Sequence, residues 1–275
     1  MPSAKLPVVL VLAGHDPTGG AGLVADAEAI AACGAWPLTV PTSLTVQTTH
    51  DVLRVMPCPA DAVRDAVWPL LDEFEVAAIK VGLIADEPTL EAIEDIARAC
   101  PGVPLVVDPV LRAGGGSTLS DAALIDEMRR RLLPLTDLLT PNRQELAQLA
   151  GVDGDDTRQA VELLALGCQA LLITGTDQPA PGSADDRVVH TLHTPDTSRQ
   201  WQWPRLPGRY HGSGCTLASA LAARLAVGER LVAACEQAQR YTWQSLRHGW
   251  QPGSGQALPR RLWQQPTPFT LEEGP

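Results

Sequence analysis

The chain has 275 residues, 45% of them hydrophobic, and a formal net charge of -11. That is enough apolar material for one large core, and a surface so negative repels phosphate backbones and anionic lipid, which argues against nucleic-acid and membrane-surface roles. No apolar run approaches the roughly 18 residues of a membrane-spanning helix, and the six cysteines lack C-x-x-C or zinc-type spacing, so they read as reduced thiols of a cytoplasmic protein.

In chain order, "PVVLVLAG" (7–14) reads as a buried first strand, since the residues before it lack a charged leader and a small-residue cleavage site. A helix follows near 20–33, then the extended run "WPLTVPTSLTV" (36–46). Val63, Val67, Leu70 and Leu71 recur at helical spacing over 60–72. "VAAIKVGLI" (76–84) is the next strand, followed by a helix carrying Leu90, Ile93 and Ala97. "VPLVVDPV" (103–110), a helix with Leu124, Ile125, Met128 and Leu132, the strand end "DLLTPN" and the strand "QALLITGT" (169–176) continue the alternation.

Strands apolar on both faces, alternating with amphipathic helices, predict a mostly parallel sheet covered on both sides. "DRVVHTLHT" and "RQWQWPRL" break the rhythm and predict an antiparallel edge hairpin. Two helices, near 213–227 and 229–247, close one domain spanning 1–250, and the Pro-rich tail over 251–275 is expected to be irregular with mobile last residues.

In such sheets ligands bind beyond the carboxyl ends of the strands. "GHDPTGGAG" (14–22), "TVQTTHD" (45–51), "KVGL" (80–83) and "DPVLRAGGG" (108–116) all fall there. The first loop imitates two phosphate motifs and fits neither. Gly20 and Ala21 stand where a P-loop needs Lys and Ser/Thr, and no acidic residue over 40–47 serves a dinucleotide ribose. "HGSGCTLASA" (211–220) opens a helix with two glycines around a serine. Amide N–H groups of Gly212, Ser213 and Gly214 can converge there on an anion, helped by the helix dipole. The plain alternative is an N-cap at Ser213 with Cys215 buried.

Taken in series, "AGHDPTGGAG", "SLTVQTT", "IKVGLI", "VVDPV", "TPNRQE", "LLITG" and "HGSGCTLASA" resemble the ribokinase-like superfamily, and within it the hydroxymethylpyrimidine/phosphomethylpyrimidine kinases of thiamine biosynthesis, over residues 7–250. The resemblance implies a three-layer α/β/α fold, a homodimer, ATP as co-substrate and Mg²⁺. It implies phosphorylation of the hydroxymethyl group of 4-amino-5-hydroxymethyl-2-methylpyrimidine and then of the resulting monophosphate.

The resemblance also assigns residues. Gly212, Ser213 and Gly214 would hold the moving phosphoryl group, and Cys215 would be base or alcohol orienter, its thiol lowered by the helix N-terminus, or else a packing residue. Gln47 would read a ring nitrogen beside an exocyclic amine, joined by Gly14, Asp26, Leu83 and Val110. Asp26 has the plain alternative of a solvated helix residue, and Leu83 and Val110 of core. Asn142 and Glu145 would orient the waters of Mg²⁺ or simply form a capping box. Asp108 is a second metal or phosphate-side candidate or an Asp-Pro turn, and Thr174 and Gly175 would lie near the nucleotide.

His15, Leu83 and Thr48 depart from the serine, methionine and asparagine usual in the family, and all three bear on the choice of pyrimidine. A pyridoxal kinase is the neighbouring alternative. A hydrolase with Cys215 as nucleophile and His211 or His15 as base, and a pyrimidine-binding protein without catalysis, are the alternatives of other classes.

Overall fold

The computed structural model describes residues 6–112, 115–116, 119–175 and 187–265. The strands are β1 (Val8–His15), β2 (Trp36–Gln47), β3 (Val52–Pro57), β4 (Val76–Val81), β5 (Leu105–Val107), β6 (Leu138–Leu139), β7 (Leu171–Ile173), β8 (Arg187–His193) and β9 (Ser198–Pro204). They form one sheet in the order β3-β2-β1-β4-β5-β6-β7-β8-β9. Every pairing from β2 through β7 is parallel. The β8–β9 hairpin is antiparallel, as the sequence predicts, and β3 adds an antiparallel strand at the opposite edge that the sequence reading missed.

The helices are α1 (Gly22–Ala32), α2 (Ala60–Glu73), α3 (Glu87–Ala99), α4 (Ala122–Glu127), α5 (Arg143–Ala150), α6 (Asp156–Ala165), α7 (Ser213–Ala226) and α8 (Leu231–Arg247). Strand β1 shows why there are three layers. Successive side chains alternate between faces: Val8, Leu10 and Leu12 join the core under α2, α3, α5 and α6, while Val9, Val11 and Ala13 join the core under α1, α7 and α8. Both faces are covered, so β1 reads as a continuous apolar run. In α7, Ala218, Ala220, Ala222 and Ala223 are fully buried, and their small side chains let this helix lie close to the sheet.

Strand β5 is shorter than the sequence suggests because Asp108-Pro109 takes the chain out of the ladder. From β1 the chain passes through α1 to β2 on one side of the sheet, and from β4 through α3 to β5 on the other. The carboxyl ends of β1 and β4 therefore flank the point where the strand order reverses, the position at which open α/β sheets bind ligands.

The chain beyond α8 is irregular but attached. Trp250 bridges Leu258, Tyr210 bridges Ala257, and Leu258 and Arg261 are buried. The end of the tail, expected to be mobile, lies outside the described residues. Among the described residues no helix is long and apolar enough to cross a membrane.

Candidate active site

A cavity of about 210 Å³ opens at the carboxyl edge of the sheet, between the loop after β1 and the start of α7. It brings together Gly14, Gln47, Leu83, Asp108, Val110, Asn142, Glu145, Thr174 and the run Gly212–Cys215. A larger hollow of about 430 Å³ lies between Ala85–Glu87 and Leu119–Glu127. Its lining carries Asp86, Glu87, Asp121 and Glu127 and no cation, which disfavours phosphate groups.

The two glycine segments interlock. Gly212 is left-handed, with φ of +80°, and a Cβ there would overlap the carbonyl oxygen of Gly20. Gly22, with φ of +58°, folds against the carbonyl oxygen of Gly14 in the same way. Only glycine gives both the dihedral and the close approach. Gly212 occupies the N-cap of α7 and no side chain caps the helix, so the first N–H groups have no partner within it. Gly214 is unobstructed: a Cβ there would meet only the Asp108 carboxylate, at 3.6 and 3.8 Å.

Asp108 is buried, and among the described residues its Oδ2 has no hydrogen-bond partner. Burial pushes its carboxyl above the usual range; Asp26 adds to the rise, while the Lys80 ammonium and a hydrogen bond from Cys215 oppose it. The Cys215 thiol is pushed up to about 12, first by burial and then by Asp108 and Asp26, against Lys80 and the Gly22 N–H. The helix N-terminus was expected to lower this thiol. Burial, Asp108 and Asp26 instead hold it above the ordinary range.

Asp26 lies outside the cavity lining and is neither a solvated helix residue nor free to touch a ligand. It is fully buried, accepts from Lys80 Nζ at 2.9 Å on each carboxylate oxygen, and accepts from Ser219 Oγ at 2.7 Å. Gly175 also lies outside the lining, and a Cβ there would overlap the carbonyl oxygen of Val189. Asn142 and Glu145 form the capping box: Glu145 N–H donates to Asn142 Oδ1 and Asn142 N–H to Glu145 Oε2, both at 2.9 Å. The same two side chains also line the cavity, so capping and ligand contact are compatible.

The sequence reading missed three site groups. Lys80 is fully buried on the cavity floor; burial pulls its ammonium down, but the Asp26, Cys215 and Asp108 charges outweigh this and hold it above the ordinary lysine range. A lone lysine inside the apolar run "VAAIKVGLI" was the available signal, since a buried ammonium needs a partner. Asp16 organises the loop after β1, accepting from Thr18 N and Ala21 N at 2.8 Å. Burial pushes its carboxyl up, but His211 and Thr18 outweigh this and hold it below the usual range. His211, weighed in the sequence only as a hydrolase base, places Nε2 2.7 Å from Asp16 Oδ2 and 3.2 Å from Gln47 Nε2. It therefore links the loop to the specificity candidate.

The match to known proteins agrees with this geometry. Residues 16–260 match the family model described as phosphomethylpyrimidine kinase. The chain belongs to this family. It is 35% identical over 260 residues to a hydroxymethylpyrimidine/phosphomethylpyrimidine kinase of Streptomyces coelicolor, covering 92% of this chain and 94% of the relative. Among solved structures, phosphomethylpyrimidine kinase from Clostridium difficile superposes with a TM-score of 0.75 at 26% identity, covering 88% of this chain and 100% of that one. A Bacillus subtilis pyridoxal kinase solved with ADP superposes with a TM-score of 0.85 at 24% identity, covering 94% and 98%, which shows the shared fold. As a family member the chain is a phosphotransferase, with ATP as co-substrate.

Proposed function

We propose that this kinase transfers the ATP γ-phosphoryl group to the hydroxymethyl of 4-amino-5-hydroxymethyl-2-methylpyrimidine, and then a second one to the monophosphate. The observation that carries the proposal is that Gln47, the Asp108–Cys215 pair and the first turn of α7, which no described side chain caps, open onto one cavity. Gln47 would grip the pyrimidine edge, leaving its alcohol beside Asp108 and Cys215. The N–H groups of Gly212, Ser213 and Gly214 would hold the transferring phosphoryl, whose charge spreads over its oxygens in the transition state.

The alcohol must lose a proton. Cys215 keeps its own at neutral pH, while Asp108 Oδ2 has a free lone pair, so the Cys215–Asp108 pair takes up the alcohol proton as a unit. Lys80 below them offsets the negative charge that gathers there.

Mg²⁺ is part of the same proposal. Glu145, which lines the cavity beside Asn142, would hold Mg²⁺ through its waters, and the buried Asp108, kept for the alcohol proton, would be reached only through a water; Mg²⁺ needs few protein ligands. When bound with ATP it neutralises charge building between the β- and γ-phosphates. A homodimer in the cytoplasm belongs to the proposal as well; the six free cysteines suit a reducing compartment.

An ADP-release assay over a panel of hydroxymethyl heterocycles tests the proposal, with mass spectrometry separating mono- from diphosphate products. The pyrimidine alcohol should be the best acceptor. Preferred turnover of pyridoxal, or release of product without ATP, would overturn it.

A further inference from the structure

The reaction proposed above makes no use of the segment after α8, yet that segment reaches both ends of the cavity. Its Gln256 N–H donates to Thr49 O, two residues past Gln47, and its Ala257 O accepts from His211 N–H, each at 2.9 Å. Arg261 goes deeper and is 3% exposed. Its Nε donates to Thr216 Oγ1 at 2.9 Å, its Nη1 to Gly19 O at 3.2 Å and to Glu28 Oε2 at 3.1 Å, and its Nη2 to Gly20 O. Thr216 Oγ1 in turn donates to Gly212 O at 2.7 Å.

One guanidinium therefore ties the loop after β1 to the first turn of α7. The contact matters because Gly212 sits directly on Gly20 O, and because Gly22, further along that loop, points its N–H at the Cys215 sulfur. Lysine cannot replace this fork, which meets acceptors on the loop and on the helix with a rigid, planar set of donors.

We propose that Arg261 is a positioning residue for phosphoryl transfer, a clamp supplied by the C-terminal segment that sets the loop after β1 against the anion-binding start of α7. The proposal rests on reading that start as the phosphoryl cradle. Arg261 touches no substrate in this scheme and acts through Gly19, Gly20 and Thr216.

The test compares the full-length chain with Arg261→Gln, Arg261→Lys and Thr216→Val. Steady-state kinetics should show kcat for the pyrimidine alcohol falling about 30-fold or more in Arg261→Gln, with the pyrimidine KM within about three-fold, because a small misplacement of reacting groups costs rate more than binding. Arg261→Lys should recover little. Thr216→Val, which removes one link without emptying the core, should lower kcat about five-fold at unchanged KM, which keeps the test open if the arginine variants fold poorly. A kcat within about two-fold of the parent in Arg261→Gln and Thr216→Val would overturn the proposal.

Amide hydrogen exchange supplies a readout independent of activity. Loss of the clamp should speed exchange at 19–22 and at the Thr216 N–H, which donates to Gly212 O, together, and unchanged exchange at either place would overturn it. If the parent chain itself phosphorylates no pyrimidine alcohol, the assigned function fails, and the exchange result still decides the clamp.

Discussion

Lys80 Nζ lies 2.9 Å from both carboxylate oxygens of Asp26, and neither side chain touches solvent. The pair joins β4 to α1 directly beneath the cavity. Removing one member leaves a buried charge without its partner, which costs about 3–5 kcal/mol. Asp26→Asn and Lys80→Met should each lower the melting temperature by about 10 °C in a domain of this size. The double variant should cost less than the sum, because no charge is then stranded. The Lys80 ammonium is held above its ordinary range, so its contribution is complete below about pH 10.4 and is lost only as the pH rises beyond that. Strict additivity in denaturant unfolding would show that the two charges do not support each other.

The two glycines at the start of α7 should behave differently. Gly212→Ala meets both a left-handed dihedral and the Gly20 carbonyl, so stability and activity should fall together, with kcat down at least about 100-fold. Gly214→Ala has room in the free protein, where its methyl would meet only Asp108 at 3.6 Å. Its melting temperature should stay within about 2 °C while kcat drops about ten-fold or more, because the methyl enters the space assigned to the phosphoryl group. A fully active Gly214→Ala enzyme would move the cradle elsewhere.

The contrast between Gly212 and Asp26 shows what the sequence could reveal. Gly212, Ser213 and Gly214 are local features: glycines at fixed spacing in a loop-to-helix junction point, from the sequence alone, to the anion cradle proposed above. The alternation of apolar strands and amphipathic helices likewise announces a covered parallel sheet. Asp26 was misread because its partners, Lys80 and Ser219, are 54 and 193 residues away, and no periodicity encodes such a meeting. Strand β3 escaped for another reason. Leu53 is 72% exposed at the edge of the sheet, so no clean in-and-out pattern marks it. Helix α6 did carry a signal, an Asp155 cap ahead of Ala160 and Leu163, that the sequence reading passed over. The Cys215 thiol was misjudged because its sequence neighbours show only the helix start, whereas burial and the carboxylates come from the fold.

Gln47 ends β2 and faces the cavity with its carboxamide against His211. A proton on His211 Nε2 given to Asp16 leaves that nitrogen no lone pair, so the carboxamide must turn its oxygen to the imidazole and its NH₂ to the cavity. Gln47→Ala should therefore raise the pyrimidine KM about ten-fold or more while the ATP KM stays within about three-fold, since a lost polar contact weakens only the ligand it reads. Gln47→Glu should be no better, because it still accepts from His211 but offers nothing to a ring nitrogen. If either variant loses ATP affinity and keeps pyrimidine affinity, the two ends of the cavity have been assigned the wrong way round.

Cys215 gives the pH test. A thiol raised to about 12 favours the protonated form, so at pH 8 its thiolate fraction is about 10⁻⁴, against roughly a quarter for an ordinary cysteine. The greater nucleophilicity of a more basic thiolate offsets part of that deficit, leaving alkylation on the order of 100-fold slower than at a free thiol. Iodoacetamide labelling of the ligand-free protein, followed peptide by peptide in a mass spectrometer, should show the Cys215 rate climbing about tenfold per pH unit from 7 to 10 with no plateau. A plateau near pH 8 or below would mean that the α7 dipole and Lys80 prevail over desolvation. Cys215 would then be a thiolate poised to take the alcohol proton by itself, and the shared role of Asp108 would fall.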